Sequence, residues 1–417
     1  MTETLTNPTA DGAVDYETLA ARFRPVFDRI AEGALERERH RELPYEPVRW
    51  LVEAGFTALR VPREFGGSGA SLAQVWKLLV ELGEADSNVP QVLRNHLAFV
   101  EDQLNVPAGD HRDAWLRRFV DGAFIGGGWT EANNGSFANI QTKITPDGDG
   151  WRLNGAKFYA TGSLFSDWLD VLAQDPDGTA VVVLVRRDAE GVTLTDDWDG
   201  FGQRGTSSGS ADYANVFIPA EFVYRYEDRF GYQNLFYQQA LLTALAGIGR
   251  AIKRDVARLI TERKRTYAHG NAEEARHDIQ LLQVVGRISA LAYGAETVVV
   301  KAGEAFDAIH EAHLLGDGEA EKALTIAADI EVTQAQIVAI DLVLEAATRL
   351  FDALGSSGVS GRTLLDRHWR NARTLASHNP RVYRERVVGD YLVNGTSPLR
   401  DFAARNQNAP SAPGQGL

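Results

Sequence analysis

The hydrophobic period of this chain changes twice, and those changes restrict its architecture more than any single residue does. From Tyr16 to about Phe119 apolar residues recur at three- and four-residue steps, with Leu19, Phe23, Val26 and Ile30 in one run and Val75, Leu78, Leu79 and Leu82 in another. That spacing predicts amphipathic helices. The period then falls to two. Ile140, Thr142 and Ile144 alternate with polar neighbours, Asp147-Gly148-Asp149-Gly150 supplies a turn, and Trp151 and Leu153 resume the alternation, as a β-hairpin requires. Further strands are expected at 169–173, 179–185, 192–195 and 213–218. From about Phe236 the helical period returns, with Leu241, Leu245, Ile248, Ile252, Val256 and Leu259 on one face, and Ile326, Ile330, Ile337, Ile340, Leu344, Ala347 and Phe351 on another. Long amphipathic helices with short connections predict a bundle of about four helices, broad enough to bury a subunit interface as well as a core. The expectation is an α+β chain: an N-terminal α-helical domain over 16–121, a middle β-barrel or β-sandwich domain over 122–234, a C-terminal four-helix bundle over 235–400, and flexible tails at 1–15 and 401–417.

Composition excludes several functions. No apolar run is long enough to cross a bilayer; the longest strongly apolar one, Ala180 to Val185, suits a buried strand. The first residues are polar and lack a basic segment followed by an apolar stretch, so no secretory signal is read and a cytoplasmic location is expected. A net charge of −14 repels phosphate backbones and anionic membranes, so neither nucleic acid nor membrane is expected as a partner. Arg263, Lys264 and Arg265 interrupt that acidic background, as a solvated helix face or a phosphate contact. Cysteine is absent and Met1 is the only methionine, which removes disulfides, thiolate nucleophiles and Cys-ligated metals. Protection from self-oxidation, economy during sulfur starvation, and neutral lineage bias each account for so little sulfur.

Three motifs carry a resemblance. Near the C-terminal end Arg370-Asn371-Ala372-Arg373-Thr374 leads to Ser377-His378-Asn379-Pro380; the middle holds Asn154-Gly155-Ala156-Lys157-Phe158-Tyr159-Ala160-Thr161-Gly162; and Val61-Pro62-Arg63-Glu64-Phe65-Gly66-Gly67 stands between the early helices. Together they resemble the acyl-CoA dehydrogenase superfamily over residues 16 to 400, in the flavin-dependent monooxygenase branch of dibenzothiophene monooxygenases and sulfur-acquisition oxidoreductases. Acyl-CoA dehydrogenases place a catalytic Glu in a Tyr-Glu-Gly-Thr turn where this chain reads Ser377-His378-Asn379-Pro380. The substitution points from proton abstraction toward oxygenation.

The resemblance implies a flavin between the β domain and the bundle. Trp129 and Thr130, in Gly128-Trp129-Thr130-Glu131, would run along the pyrimidine edge; Tyr159 would cover one ring face, and the Thr161 hydroxyl would reach N5. Trp198 and Arg204, from the segment 196–210, would wall the ring, while Ser208 or Ser210 would either meet the phosphate or belong to a solvated turn. Residues 263–268 are closer to the monooxygenase pattern than to the Arg-x-x-Phe-Gly of FAD dehydrogenases. FMN is therefore expected over FAD, with Arg265 as phosphate ligand, contributed by a neighbouring subunit in a homotetramer.

His378 is expected to support formation of a hydroperoxide at flavin carbon C4a, with Arg373 holding nearby backbone or flavin groups. Gln91, Asn95 and His96 would line the substrate side; Arg94 reads as an exposed helix arginine or a contact for a sulfonate or sulfinate, and His310 and His313 as solvated. No GxGxxG motif follows a strand, so reduced FMN is expected by diffusion from a separate NAD(P)H-dependent flavin reductase. The expected activity is oxygenation of a small organosulfur compound. An acyl-CoA dehydrogenase with FAD and a relocated base, an N-hydroxylase of an amine or amino sugar, and a non-catalytic flavin-binding protein remain alternatives.

Overall fold

A computed structural model describes residues 14–132 and 140–399. Five helices open the chain: α1 (Tyr16–His40), α2 (Tyr45–Glu53), α3 (Leu72–Ala85), α4 (Asn88–Asn105) and α5 (Asp110–Val120). Asp15 caps α1 by accepting from the Thr18 backbone N–H, and Ser71 and Gln74 close a capping box on α3. Every residue of α4 is buried, so this helix runs through the interior and its polar side chains need internal partners.

The middle region is one sheet. Its strands are β1 (Ile125–Gly128), β2 (Lys143–Asp147), β3 (Gly150–Lys157), β4 (Trp168–Gln174), β5 (Ala180–Arg186), β6 (Val192–Thr195), β7 (Ser210–Pro219) and β8 (Val223–Arg225). They run in the order β6-β7-β3-β2-β4-β5-β8, with β1 parallel to β4. The β2–β3 hairpin pairs Asp147 with Gly150 across a two-residue turn in which Gly148 has φ +61°. Two strands lie outside the alternation read from the sequence. β1 is Ile-Gly-Gly-Gly, whose glycines erase any period; they are there because α4 and the 163–166 turn lie against the strand. A Cβ on Gly127 would stand 2.1 Å from Asn95 Nδ2, and one on Gly126 2.8 Å from Ser163 Cα. β8 is only three residues long and pairs with β5.

The C-terminal region holds α6 (Gln233–Glu262), α7 (Ile279–Gly303), α8 (Ala305–Leu314), α9 (Gly318–Leu354), α10 (Asp366–His378) and α11 (Arg381–Asn394). Helices α6, α7 and α9 pack on one another, α10 rests on α6 and α9, and α3 lies along α6. At Gly83 and Gly247 α3 and α6 meet backbone to backbone; a Cβ on Gly247 would be 2.5 Å from the Gly83 carbonyl carbon. One hydrophobic core joins the early helices to the bundle, and a second joins the sheet to α5 and the end of α4. Helix α4 thus spans both. Among the described residues no helix is long and apolar enough to cross a membrane.

His310 and His313 are not solvated as the sequence suggested. His310 Nδ1 lies 3.3 Å from the buried Glu101 carboxylate, and His313 bridges Glu321 and the Asn105 carbonyl. Both fasten α8 to the end of α4, a tertiary role that i,i+3 spacing does not reveal.

Candidate active site

The site grows from the end of β3, where the strand stops in a strained turn. Phe158 N–H donates to the Thr130 carbonyl at 2.8 Å, and Tyr159 then takes φ +60°. Gln203 and Ser207, on the facing loop between β6 and β7, both have φ +52°. Left-handed backbone at a non-glycine residue costs about 1–2 kcal/mol, and its concentration in two adjoining segments marks a functional site. Tyr159 is 49% exposed, and its ring centroid lies 5.8 Å from that of Trp198. Thr130 is exposed beside them. These aromatic and polar groups form the sheet side of the candidate site.

Behind Tyr159 the turn is tied inward. The Thr161 carbonyl accepts from Gly127 N–H at 3.2 Å and from Asn95 Nδ2 at 3.0 Å. The Thr161 hydroxyl meets Ser208 Oγ at 2.8 Å, Ser208 meets Thr206 at 2.7 Å, and Thr206 donates to the Gln203 carbonyl at 2.9 Å. Thr161 and Ser208 are both buried, so this hydroxyl chain joins the two strained segments to each other. In this cluster the Thr161 hydroxyl is bonded to Ser208, and Ser208 sits between Thr161 and Thr206, each hydroxyl keeping capacity for a further hydrogen bond. Ser210 Oγ in turn donates to Asp197 at 2.7 Å, and that carboxylate disfavours phosphate beside it.

Trp129 is packed from below. The Tyr226 and Tyr237 rings stand 5.7 Å and 5.9 Å away, and the Arg229 guanidinium lies 4.9 Å over the indole. Arg229 is buried with Asp170 at 3.1 Å and Asp102 at 3.9 Å. Burial pushes the Asp102 carboxyl up to about 6 despite the nearby Arg229, so the cluster takes up a proton readily in mild acid. Lys157 Nζ binds Glu131 at 2.8 Å. Burial alone would raise the Glu131 carboxyl, but Lys157 and the backbone N–H groups of Gln141 and Thr142 hold it near 2.

The helical side is formed by α4, α6 and α10. His368 Nε2 donates to Asp255 at 2.9 Å and Arg367 binds the same oxygen at 2.7 Å, fixing the start of α10 on α6. At its other end, Asn379 Nδ2 donates to Gln238 at 2.6 Å. Asn371 accepts from Gln203 N–H at 2.6 Å, docking the β6–β7 loop on α10. His378 is thereby held at the site, exposed, with Nε2 3.1 Å from Arg94 Nη1. A guanidinium only donates, so Nε2 is the acceptor and the proton sits on Nδ1. The protein packed around the ring, and then the Arg94 charge, push the His378 pKa down. Solvent at its exposed face offsets part of the first effect, yet both influences lower a pKa already near 6.5, so the imidazole is neutral at pH 7.

The structure thus joins Asn95, Thr161 and Ser208 directly, sets Tyr159 against both Thr161 and Trp198, and connects His378 to Trp129 through Arg94 and Tyr237. Other expected site residues fall elsewhere. His96 is a core residue: Nε2 lies 2.8 Å from the Thr57 carbonyl, Nδ1 accepts from Ile125 N–H at 3.3 Å, and the ring stacks on Phe124. Burial pushes its pKa down to about 4, and with both nitrogens engaged it holds β1 to α4 instead of facing substrate. Arg204 turns toward Glu38 on α1, at 3.8 Å. Arg265 is exposed in the loop after α6, and Arg373 is half-buried on α10 with no ion pair among the described residues. Arg94, read as exposed, is buried. Tyr237, which the sequence reading did not single out, joins Arg94 to Trp129, with the guanidinium 5.4 Å from its ring centroid. Its place beside Phe236 on the buried face of α6 was the available signal.

A helical domain, a sheet domain and a helical bundle, with aromatic rings gathered where the last two meet, define an acyl-CoA dehydrogenase-type flavoprotein architecture. Family models described as the N-terminal, middle and C-terminal domains of acyl-CoA dehydrogenase match residues 15–123, 126–216 and 241–381, and the chain belongs to that family. Among individual relatives, it is 25% identical to a dibenzothiophene monooxygenase of Rhodococcus erythropolis over 94% of this chain and 97% of that one. It is 24% identical to a probable FMNH2-dependent monooxygenase, SfnC, of Pseudomonas putida over 91% of this chain and 95% of that one. Among solved structures, FMN-bound TdsC of Paenibacillus sp. A11-2 superposes with a TM-score of 0.83 at 25% identity, covering 92% of this chain and 99% of that one.

Proposed function

We propose that this chain is the oxygenase component of a two-component monooxygenase, which takes reduced FMN from a separate NAD(P)H-dependent reductase and uses dioxygen to oxygenate a small organosulfur compound. The observation that carries the reading is the pair at the site, a neutral imidazole held by a guanidinium, with no carboxylate ion-paired to either among the described residues. The α-proton abstraction of this family's dehydrogenases calls for a carboxylate there; the neutral imidazole instead offers an N–H that can hydrogen-bond to reduced oxygen. The names of the relatives, a dibenzothiophene monooxygenase and an FMNH2-dependent monooxygenase, support the same direction.

The residues present fit FMN. Tyr159 offers an exposed aromatic face with the half-buried Trp198 beside it, Thr130 is exposed nearby, and the Tyr237 hydroxyl is buried without a partner among the described residues. When bound, reduced FMN supplies the electrons that activate dioxygen. Tyr159 and Trp198 would cover and orient the ring, and the Asn95–Thr161–Ser208 ties fix the turn that carries Tyr159. With Nε2 accepting from Arg94, His378 carries its proton on Nδ1, and that N–H would serve as a hydrogen-bond donor beside the ring. The fully buried α4 excludes water from the opposite wall. With the serine hydroxyls engaged internally, the phosphate contact falls to Arg265 of a neighbouring subunit in a homotetramer, and Arg373 remains a candidate for a flavin contact.

The test is anaerobic titration of the purified protein with photoreduced FMN, followed by mixing with oxygen and organosulfur compounds. Binding of reduced FMN and oxygen-dependent product without any reductase present is expected. Flavin reduction by an acyl-CoA, with no oxygenated product, would replace this reading with a dehydrogenase.

A further inference from the structure

Arg94 is only 8% exposed, yet among the described residues no carboxylate pairs with it. Other deeply buried arginines are paired: Arg60 with Glu101 at 2.9 Å, Arg229 with Asp170 at 3.1 Å. Arg94 has one direct partner, the neutral His378 imidazole, and its Nε has none among the described residues. Gln91 Oε1, one turn earlier on α4, and the hydroxyl of Tyr237, whose ring lies by the guanidinium, are also buried without partners there. Burial pushes the Arg94 pKa down to about 10, which leaves it charged at neutral pH. An unpaired buried guanidinium is strongly unfavourable, and a fold retains one where a ligand completes it.

We infer that Arg94 is the anion-recognition residue of the site and that the substrate is a compact organosulfur monoanion, its two oxygens on one sulfur engaging the guanidinium beside His378. This rests on the proposed flavin-dependent oxygenation. The net charge of −14 gives the molecule no general attraction for anions, so recognition has to be local. A guanidinium fork matches two oxygens on one centre. Oxygen transfer also needs a lone pair on sulfur. A sulfinate has both the charge and the lone pair, a sulfonate lacks the lone pair, and a dialkyl sulfide lacks the charge. In the reaction R–SO2− gains one atom of dioxygen through a new S–O bond and becomes R–SO3−. The O–O bond breaks, and the second atom leaves as water with the two hydrogens of reduced FMN. Sulfur and reduced FMN each give two electrons, the four that dioxygen accepts.

The experiment is calorimetric titration of the full chain, with and without reduced FMN under anaerobic conditions, using methanesulfinate and neutral dimethyl sulfide. Wild type, Arg94→Gln and Arg94→Lys are compared. Methanesulfinate should bind wild type, with affinity weakened on the order of a hundredfold in Arg94→Gln and by less in Arg94→Lys. Thermal unfolding of ligand-free Arg94→Gln should occur at or above the wild-type temperature, because an unpaired charge has been removed. Undiminished sulfinate affinity in Arg94→Gln, dimethyl sulfide binding wild type as tightly as methanesulfinate, or a marked fall in the unfolding temperature of the variant would each overturn the inference. If reduced FMN did not bind while Arg94-dependent sulfinate binding persisted, the anion site would stand and the proposed cofactor would fall.

Discussion

Substituting Gly127 by alanine tests how the site is held. The new Cβ would lie 2.1 Å from Asn95 Nδ2 and 2.6 Å from Asn95 Cγ, well inside contact distance, with both residues buried between β1 and α4. Either Asn95 swings away or the strand moves. Swinging away breaks the 3.0 Å bond to the Thr161 carbonyl and leaves the amide buried without it. That loss costs about 1–3 kcal/mol, and the overpacking adds about 1–3 kcal/mol, so Gly127→Ala should destabilise the chain by about 2–6 kcal/mol. Asn95→Ala alone should cost about 1–3 kcal/mol, because Gly127 N–H still serves the carbonyl. The double variant removes the clash along with the amide, so its cost should fall short of the sum by about 1–3 kcal/mol. Urea unfolding of the four proteins measures this coupling, and reduced-FMN affinity should fall with it as the Tyr159 turn loosens. Strictly additive costs would mean that α4 does not set the position of Thr161, and the account of the site would be wrong.

Three further outcomes are expected. Burial holds His96 and His368 near a pKa of about 4 in the folded chain, so the unfolded state binds more protons between about pH 4 and 6.5. Their stabilising contribution is complete above about 6.5 and drains as pH falls toward 4; urea midpoints at pH 7, 5 and 4 should decline, and less steeply in His96→Asn. Replacing Arg94 by methionine removes a charge that lowers the His378 pKa, so the acid limb of the oxygenation rate should move upward in pH toward 6.5; an unmoved limb would exclude His378 as the titrating group. Lys157→Met removes the cation from the Glu131 carboxylate but leaves it the Gln141 and Thr142 N–H groups, so it should cost about 1–3 kcal/mol in urea unfolding, part of it recovered in Lys157→Met with Glu131→Gln.

The helices and most of the strands were legible because burial of one face leaves a period in the sequence. β1 was not, since its consecutive glycines answer steric demands from Ser163, Asn95 and Tyr213, residues distant in the chain. Among candidate site residues, the motifs pointed to Tyr159, Trp198 and His378, which the structure sets at a turn, a loop and a helix end. The roles of Thr161, Ser208, Asn95 and His96 depend on what lies opposite each side chain, and sequence does not record that. Both His96 and Arg94 sit on α4; only the three-dimensional packing shows that one is fully satisfied inside the core while the other is left without a counter-charge. Arg204, two residues from Gly202 in the same motif as Trp198, turns to Glu38 because the loop reverses at Gln203.

The most direct measurement mixes the protein, loaded with photoreduced FMN, with oxygen-18 dioxygen and a panel comprising an alkanesulfinate, a dialkyl sulfide and dibenzothiophene, and weighs the products. The account predicts one oxygen-18 atom per product molecule from at least one compound, formed without a reductase. Unlabelled or absent products across the panel, together with bleaching of bound oxidised flavin by an acyl-CoA, would contradict it.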